Sequence, residues 1–166
     1  MILGMSISTY TLVHVVISLV GIFSGLVVLF GMFGSKRFPG WTAVFLATTV
    51  LTSVTGYPFP RDHILPSHIV GIISLVVLAI AIFAPYVRHL AGQWRWIYVA
   101  SAVLALYLNV FVGVVQAFMK VPFLNALAPK QSEPPFAIAQ GIVLVIFVVL
   151  GIVAARSFHP ETKRPG

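Results

Sequence analysis

Apolar runs, broken by short polar or proline- and glycine-containing stretches, divide the chain into five segments. They cover about Leu12 to Phe33, Trp41 to Tyr57, Ser67 to Val87, Trp96 to Met119 and Phe136 to Ala155. Each is close to the roughly 17–25 residues that an α-helix needs to cross a bilayer. The first ends at Gly34-Ser35-Lys36-Arg37, the second at Gly56-Tyr57-Pro58-Phe59-Pro60, and the third starts just after Pro66. These are the punctuation marks at which helices stop and start. The pattern predicts an all-α class, a polytopic transmembrane bundle of five helices forming one domain over residues 1–166. The longest connection, Lys120 to Pro135, contains Pro122, Pro129, Pro134 and Pro135. Its apolar half, Val121 to Leu127, reads as a short turn lying on the membrane surface.

Composition agrees with this reading. Of 166 residues, 60% are hydrophobic and 8% charged, against about 25% charged in soluble domains. Mean hydropathy is +1.07, more apolar surface than a soluble core of this length can hide, so a lipid bilayer is the expected partner. The formal charge of +7 comes from basic residues scattered singly and in pairs, with no basic stripe that would suit nucleic acid. The absence of cysteine excludes disulfides, thiolate zinc sites and thiol nucleophiles. The first apolar run lacks a basic leader and a small-residue cleavage pattern, which predicts a retained helix.

Charge also orients the bundle. With the N-terminus outside, the cytoplasmic side holds Lys36, Arg37, Arg88, Arg95, Arg156, Lys163 and Arg164, and the outer side only Arg61, Lys120 and Lys130. This bias predicts a cytoplasmic C-terminus. Trp41, Trp94 and Trp96 then sit at the inner interface, where amphipathic rings anchor.

Polar side chains are expensive inside a bilayer, so their positions carry the functional signal. In the expected topology they gather in the outer half. His14 and His68 stand near the outer ends of the first and third helices, each roughly 2–3 Å inside its helix end at about 1.5 Å per residue. Asn109, Gln116 and Lys120 follow i, i+7, i+11 on the fourth helix and share a face, and Gln140 opens the fifth from the same side. That face excludes Leu108. Arg61, Asp62 and His63 occupy the outer loop. His14, Ser18, Gly21 and Gly25 run down one face of the first helix, with Gly21 and Gly25 in the small-xxx-small spacing of close helix contacts. These observations predict a polar pocket, open to the outside and ringed by the first, third, fourth and fifth helices.

Every feature also has a plainer reading. The glycine stripe is packing, and Thr48, Thr52 and Thr55 are threonines bonding their own i−4 carbonyls. Asn109 and Gln116 serve as glue between helices, and His89 and His159 are interfacial. As a functional site, His14 and His68 could ligate the iron of one haem b axially, with Lys120 and Arg61 pairing the propionates. Alternatively the pocket takes a quinone-like amphiphile, its carbonyl bonded by Gln116, Asn109 or His68. Two further classes stay open: a non-catalytic accessory subunit of a larger membrane complex or homo-oligomer, and a small-solute transporter or channel. The chain carries no catalytic motif, nor an embedded acid of the kind proton-coupled transport uses.

The stretches Trp41 to Thr49, Leu106 to Phe111 and Ala128 to Phe136 resemble small bacterial inner-membrane proteins of unknown function. That resemblance implies a bacterial inner membrane and brings no activity with it. The architecture is also loosely similar to small membrane-bound b-type cytochromes, whose multiple histidine pairs are missing from this chain.

Overall fold

The computed structural model describes residues 1–60 and 66–160. Among them stand α1 (Ile7–Phe33), α2 (Pro39–Thr55), α3 (Pro66–Tyr86), α4 (Trp94–Lys120), α5 (Pro122–Leu127) and α6 (Pro134–Ser157). Six helices therefore replace the expected five. The extra one is the predicted surface turn, which Pro122 starts as a short helix with Phe123 and Leu127 exposed. Arg61 and its loop neighbours Asp62 and His63 lie outside the described residues.

The helix ends are set by local chemistry. α1 begins five residues ahead of Leu12, because the Ser6 hydroxyl caps it, accepting the Thr9 N–H at 3.2 Å. α2 opens on Pro39, whose fixed φ and missing N–H suit a first turn, and ends before Gly56. At the other end of α1 the chain turns through Ser35 at φ +57°, and the Lys36 N–H returns to the Gly31 carbonyl.

Four helices are long and apolar enough to cross a membrane: α1, α3 over His68–Tyr86, α4 and α6. α2 has 17 residues and is rich in threonine. It nevertheless lies antiparallel along nearly all of α1. The Tyr10 hydroxyl donates to the Thr55 carbonyl at one end, and Phe38 covers Gly31 at the other. α3 meets α4 the same way, with Phe83 against Trp94. α6 follows α4 from Gln140, which bonds the Phe111 carbonyl, to Phe158, whose carbonyl accepts from Arg95. The five long helices thus run alternately up and down.

The two halves of this bundle differ. At the end holding the α1–α2 and α3–α4 turns, Leu29, Met32, Phe45, Leu78, Val99 and Leu106 form a closed core. Ala81, Ala84, Ala102 and Ala105 are almost fully buried there, and small side chains let α3 and α4 approach closely. A Cβ on Gly25 would stand 2.6 Å from Leu106 and 2.9 Å from Phe45, so that glycine is what admits both side chains. The outer faces are apolar: Phe23, Phe30, Ile72, Val76, Val145 and Val149 are all more than half exposed. Such a surface suits hydrocarbon and not water. In the opposite half the helices part around a cavity.

Candidate functional site

The cavity has a volume of about 510 Å³ and is walled by α1, α2, α3 and α4, within the roughly 300–1,000 Å³ of small-molecule sites. His14, His68, Asn109, Gln116 and Lys120 all line it. Two corrections follow. α2 supplies the wall expected from α6, through Thr49, Thr52 and Ser53. Gln140 points instead at α4, where its Nε2 donates to the Phe111 carbonyl at 3.1 Å. Leu108 also borders the cavity, beside Asn109, so the lining face of α4 is wider than the i, i+7, i+11 row.

The depths of the histidines differ from expectation. Because α1 starts at Ile7, His14 is seven residues along it, about 10 Å from its beginning. His68 is two residues into α3, about 3 Å along. The two still reach one cavity, since α1 extends beyond the end of α2.

His14 Nδ1 lies 2.7 Å from Thr55 Oγ1. The same hydroxyl lies 2.6 Å from the Leu51 carbonyl. The Phe59 ring stands edge-on to both His14, at 5.3 Å, and Tyr10, at 5.1 Å. Across the mouth, the Tyr57 ring lies against His68 at 5.6 Å, and its hydroxyl donates to the His68 carbonyl. Gly71 makes room for this contact, because a Cβ there would meet the Tyr57 oxygen at 3.0 Å. The aromatic segment after α2 thus ties α1, α2 and α3 together at the rim of the cavity.

Deeper in, the threonines and serines divide. Ser18, Ser24, Thr48, Thr49, Ser53 and Thr55 each donate to the carbonyl four residues back. Thr52 does not: its buried Oγ1 has no hydrogen-bond partner, although Thr52 stands in the cavity wall. Asn109 is 8% exposed, and its buried Nδ2 also has no partner. A buried donor left unmade costs about 1–3 kcal/mol, and both of these residues belong to the cavity wall. From exposed Lys120 to Asn109 is eleven residues of α4, so the site is about 16 Å deep. Sequence reasoning missed Thr52, Tyr57 and Phe59. The threonine stripe was visible, but spacing alone does not say which hydroxyl goes unused.

Among the described residues no group of three His, Cys, Asp or Glu side chains is placed to hold a metal ion. Axial ligation of a haem needs only two imidazoles. Compared with family models, curated proteins and solved structures, the chain matches none of them.

Proposed function

We propose that this chain is a five-span protein of the bacterial inner membrane that binds a quinone-like amphiphile from the periplasmic side. The fifth span is α2, which accompanies α1 from Gly31 to Tyr10 and so crosses whatever α1 crosses. The charge bias supports the orientation. The end bearing Lys36, Arg37, Arg88, Arg95 and Arg156 is the cytoplasmic one, and Lys120 and Lys130 lie opposite.

The observation that carries the reading is that Asn109 and Thr52, whose Nδ2 and Oγ1 are buried without partners, both belong to the wall of one cavity, so that a small turn of either side chain would present a donor to a ligand oxygen. The amide is the more telling, because a threonine can turn to its own i−4 carbonyl. A quinone presents carbonyl oxygens to such donors and an apolar ring and tail to Val15, Leu19, Ile22 and Val112. A second carbonyl, towards the mouth, comes within the province of Gln116 and His68. Organic extraction of protein purified in mild detergent, followed by mass spectrometry, tests this. Stoichiometric quinone supports the reading, and a ligand without a hydrogen-bond acceptor defeats it.

One observation favours haem b as a second reading. The 2.7 Å hydrogen bond between His14 Nδ1 and Thr55 Oγ1 fixes the orientation of the ring, as second hydrogen bonds do for ligating imidazoles. His14 and His68 would hold the iron, and Lys120 at the rim would pair a propionate.

A further inference from the structure

A second cavity, of about 240 Å³, lies at the opposite end of the bundle, beneath the α1–α2 turn. Lys36, Arg37, Thr42, Tyr86 and Tyr98 form its polar edge, and Val28, Met32 and Leu90 its apolar floor. Both turns beside it are set by backbone bonds. The Lys36 N–H returns to Gly31, and the Leu90 N–H to Ala84 with buried Leu90 tucked under the helix ends. The two cations are exposed and adjacent. Arg88 and Arg95 at the same end rest on Trp94 and Trp96, whereas among the described residues Lys36 and Arg37 make no such contact. Among the described residues the only acid is Glu133, and it lies at the other end of the bundle.

We propose that this cavity binds the headgroup of an anionic phospholipid. The phosphodiester would pair with Lys36 and Arg37, with the hydroxyls of Thr42, Tyr86 and Tyr98 within the same pocket. The space is smaller than the roughly 300 Å³ at which small-molecule pockets begin, so it admits a headgroup and leaves the acyl chains along the lipid-facing helices. Tryptophans 41, 94 and 96 occur on the helices at this level, where an interfacial headgroup would lie. Basic pockets between membrane helices are a recurrent way of holding such lipids.

The test uses purified full-length protein in a neutral detergent, read by thermal unfolding during lipid titration. Dioleoylphosphatidylglycerol is compared with dioleoylphosphatidylcholine, which has the same chains, and with inorganic phosphate. The glycerol lipid should raise the midpoint saturably, an effect that weakens with salt, while the choline lipid and phosphate leave it unchanged. Lys36→Gln and Arg37→Gln should each weaken the apparent affinity about five-fold, and the pair about 25-fold. Arg156→Gln, at the same end but off the cavity, should not. Both cations are exposed, so folding is expected to survive, and the lipid comparison on the native chain needs no variant. Equal shifts with both lipids, equal losses with Arg156→Gln, or a shift with phosphate alone would overturn the proposal.

Discussion

The Asn109 carboxamide on α4 rests against Gly21 on α1, where an added Cβ would stand 3.0 Å from Nδ2 and 3.2 Å from Thr48 Oγ1. The glycine is thus what gives the carboxamide its room between α1 and α4. Gly21→Ala meets only the ends of short polar side chains, which can turn aside, and it gains helix propensity of up to about 1 kcal/mol. Its expected effect is near-neutral stability with weakened ligand binding. Gly25→Ala drives a methyl into buried Leu106 and Phe45 and should cost about 1–3 kcal/mol. Thermal unfolding of both variants in one detergent checks the order.

The orientation is checked by fusions. A C-terminal fluorescent protein should be bright and a C-terminal alkaline phosphatase inactive. Reversal of that pattern would put the cavity on the cytoplasmic side. A phosphatase joined between α2 and α3 should be active, and an inactive fusion there would mean that α2 does not cross.

Because the chain has no cysteine, single cysteines can be introduced cleanly. One at Gln116 should react with small water-soluble thiol reagents added outside, while one at Leu104, on an exposed apolar face of α4, should not. Leu108 is unsuitable as the unreactive control, since it borders the cavity. Equal labelling at Gln116 and Leu104 would mean that no aqueous pocket exists.

The sequence made the long helices legible because a bilayer demands long apolar runs, and Gly and Pro mark their ends. It also brought His14, His68, Asn109, Gln116 and Lys120 to one site, since polar side chains on membrane helices turn inward. The misses have physical causes. The apolar run starts at about Leu12, yet the Ser6 cap brings Ile7, Ser8 and Thr9 into the first turn of α1 and moves His14 two turns inside it. Gln140 shares the outer level with the site, but α6 contacts a different flank of α4. Which helices wall a cavity depends on packing order, which no single segment encodes. Thr52 differs from Thr48, Thr49 and Thr55 only in where its hydroxyl turns.

The haem reading has its own experiment. Protein expressed with ample haem should show a Soret band if His14 and His68 ligate iron, and His14→Ala or His68→Ala should each abolish it. Thr55→Val removes the bond to His14 Nδ1 and should shift or broaden the band while retaining it. A colourless, iron-free native protein would eliminate haem and leave the quinone reading intact.

The central claim is that Asn109 awaits an acceptor atom from a ligand. The direct measurement is the binding isotherm of a short-tailed benzoquinone to the native protein and to Asn109→Leu, with ligand-free stability recorded alongside. Leucine has the same branching and heavy-atom count as asparagine and removes the unmade donor. The ligand-free variant should therefore be as stable as the native protein, or more stable by about 1–3 kcal/mol. Its quinone affinity should fall about ten-fold or more, as expected for losing a buried hydrogen bond. Equal affinities, or no saturable binding to the native protein, would contradict the account and favour an accessory subunit with a lipid- or water-filled cavity.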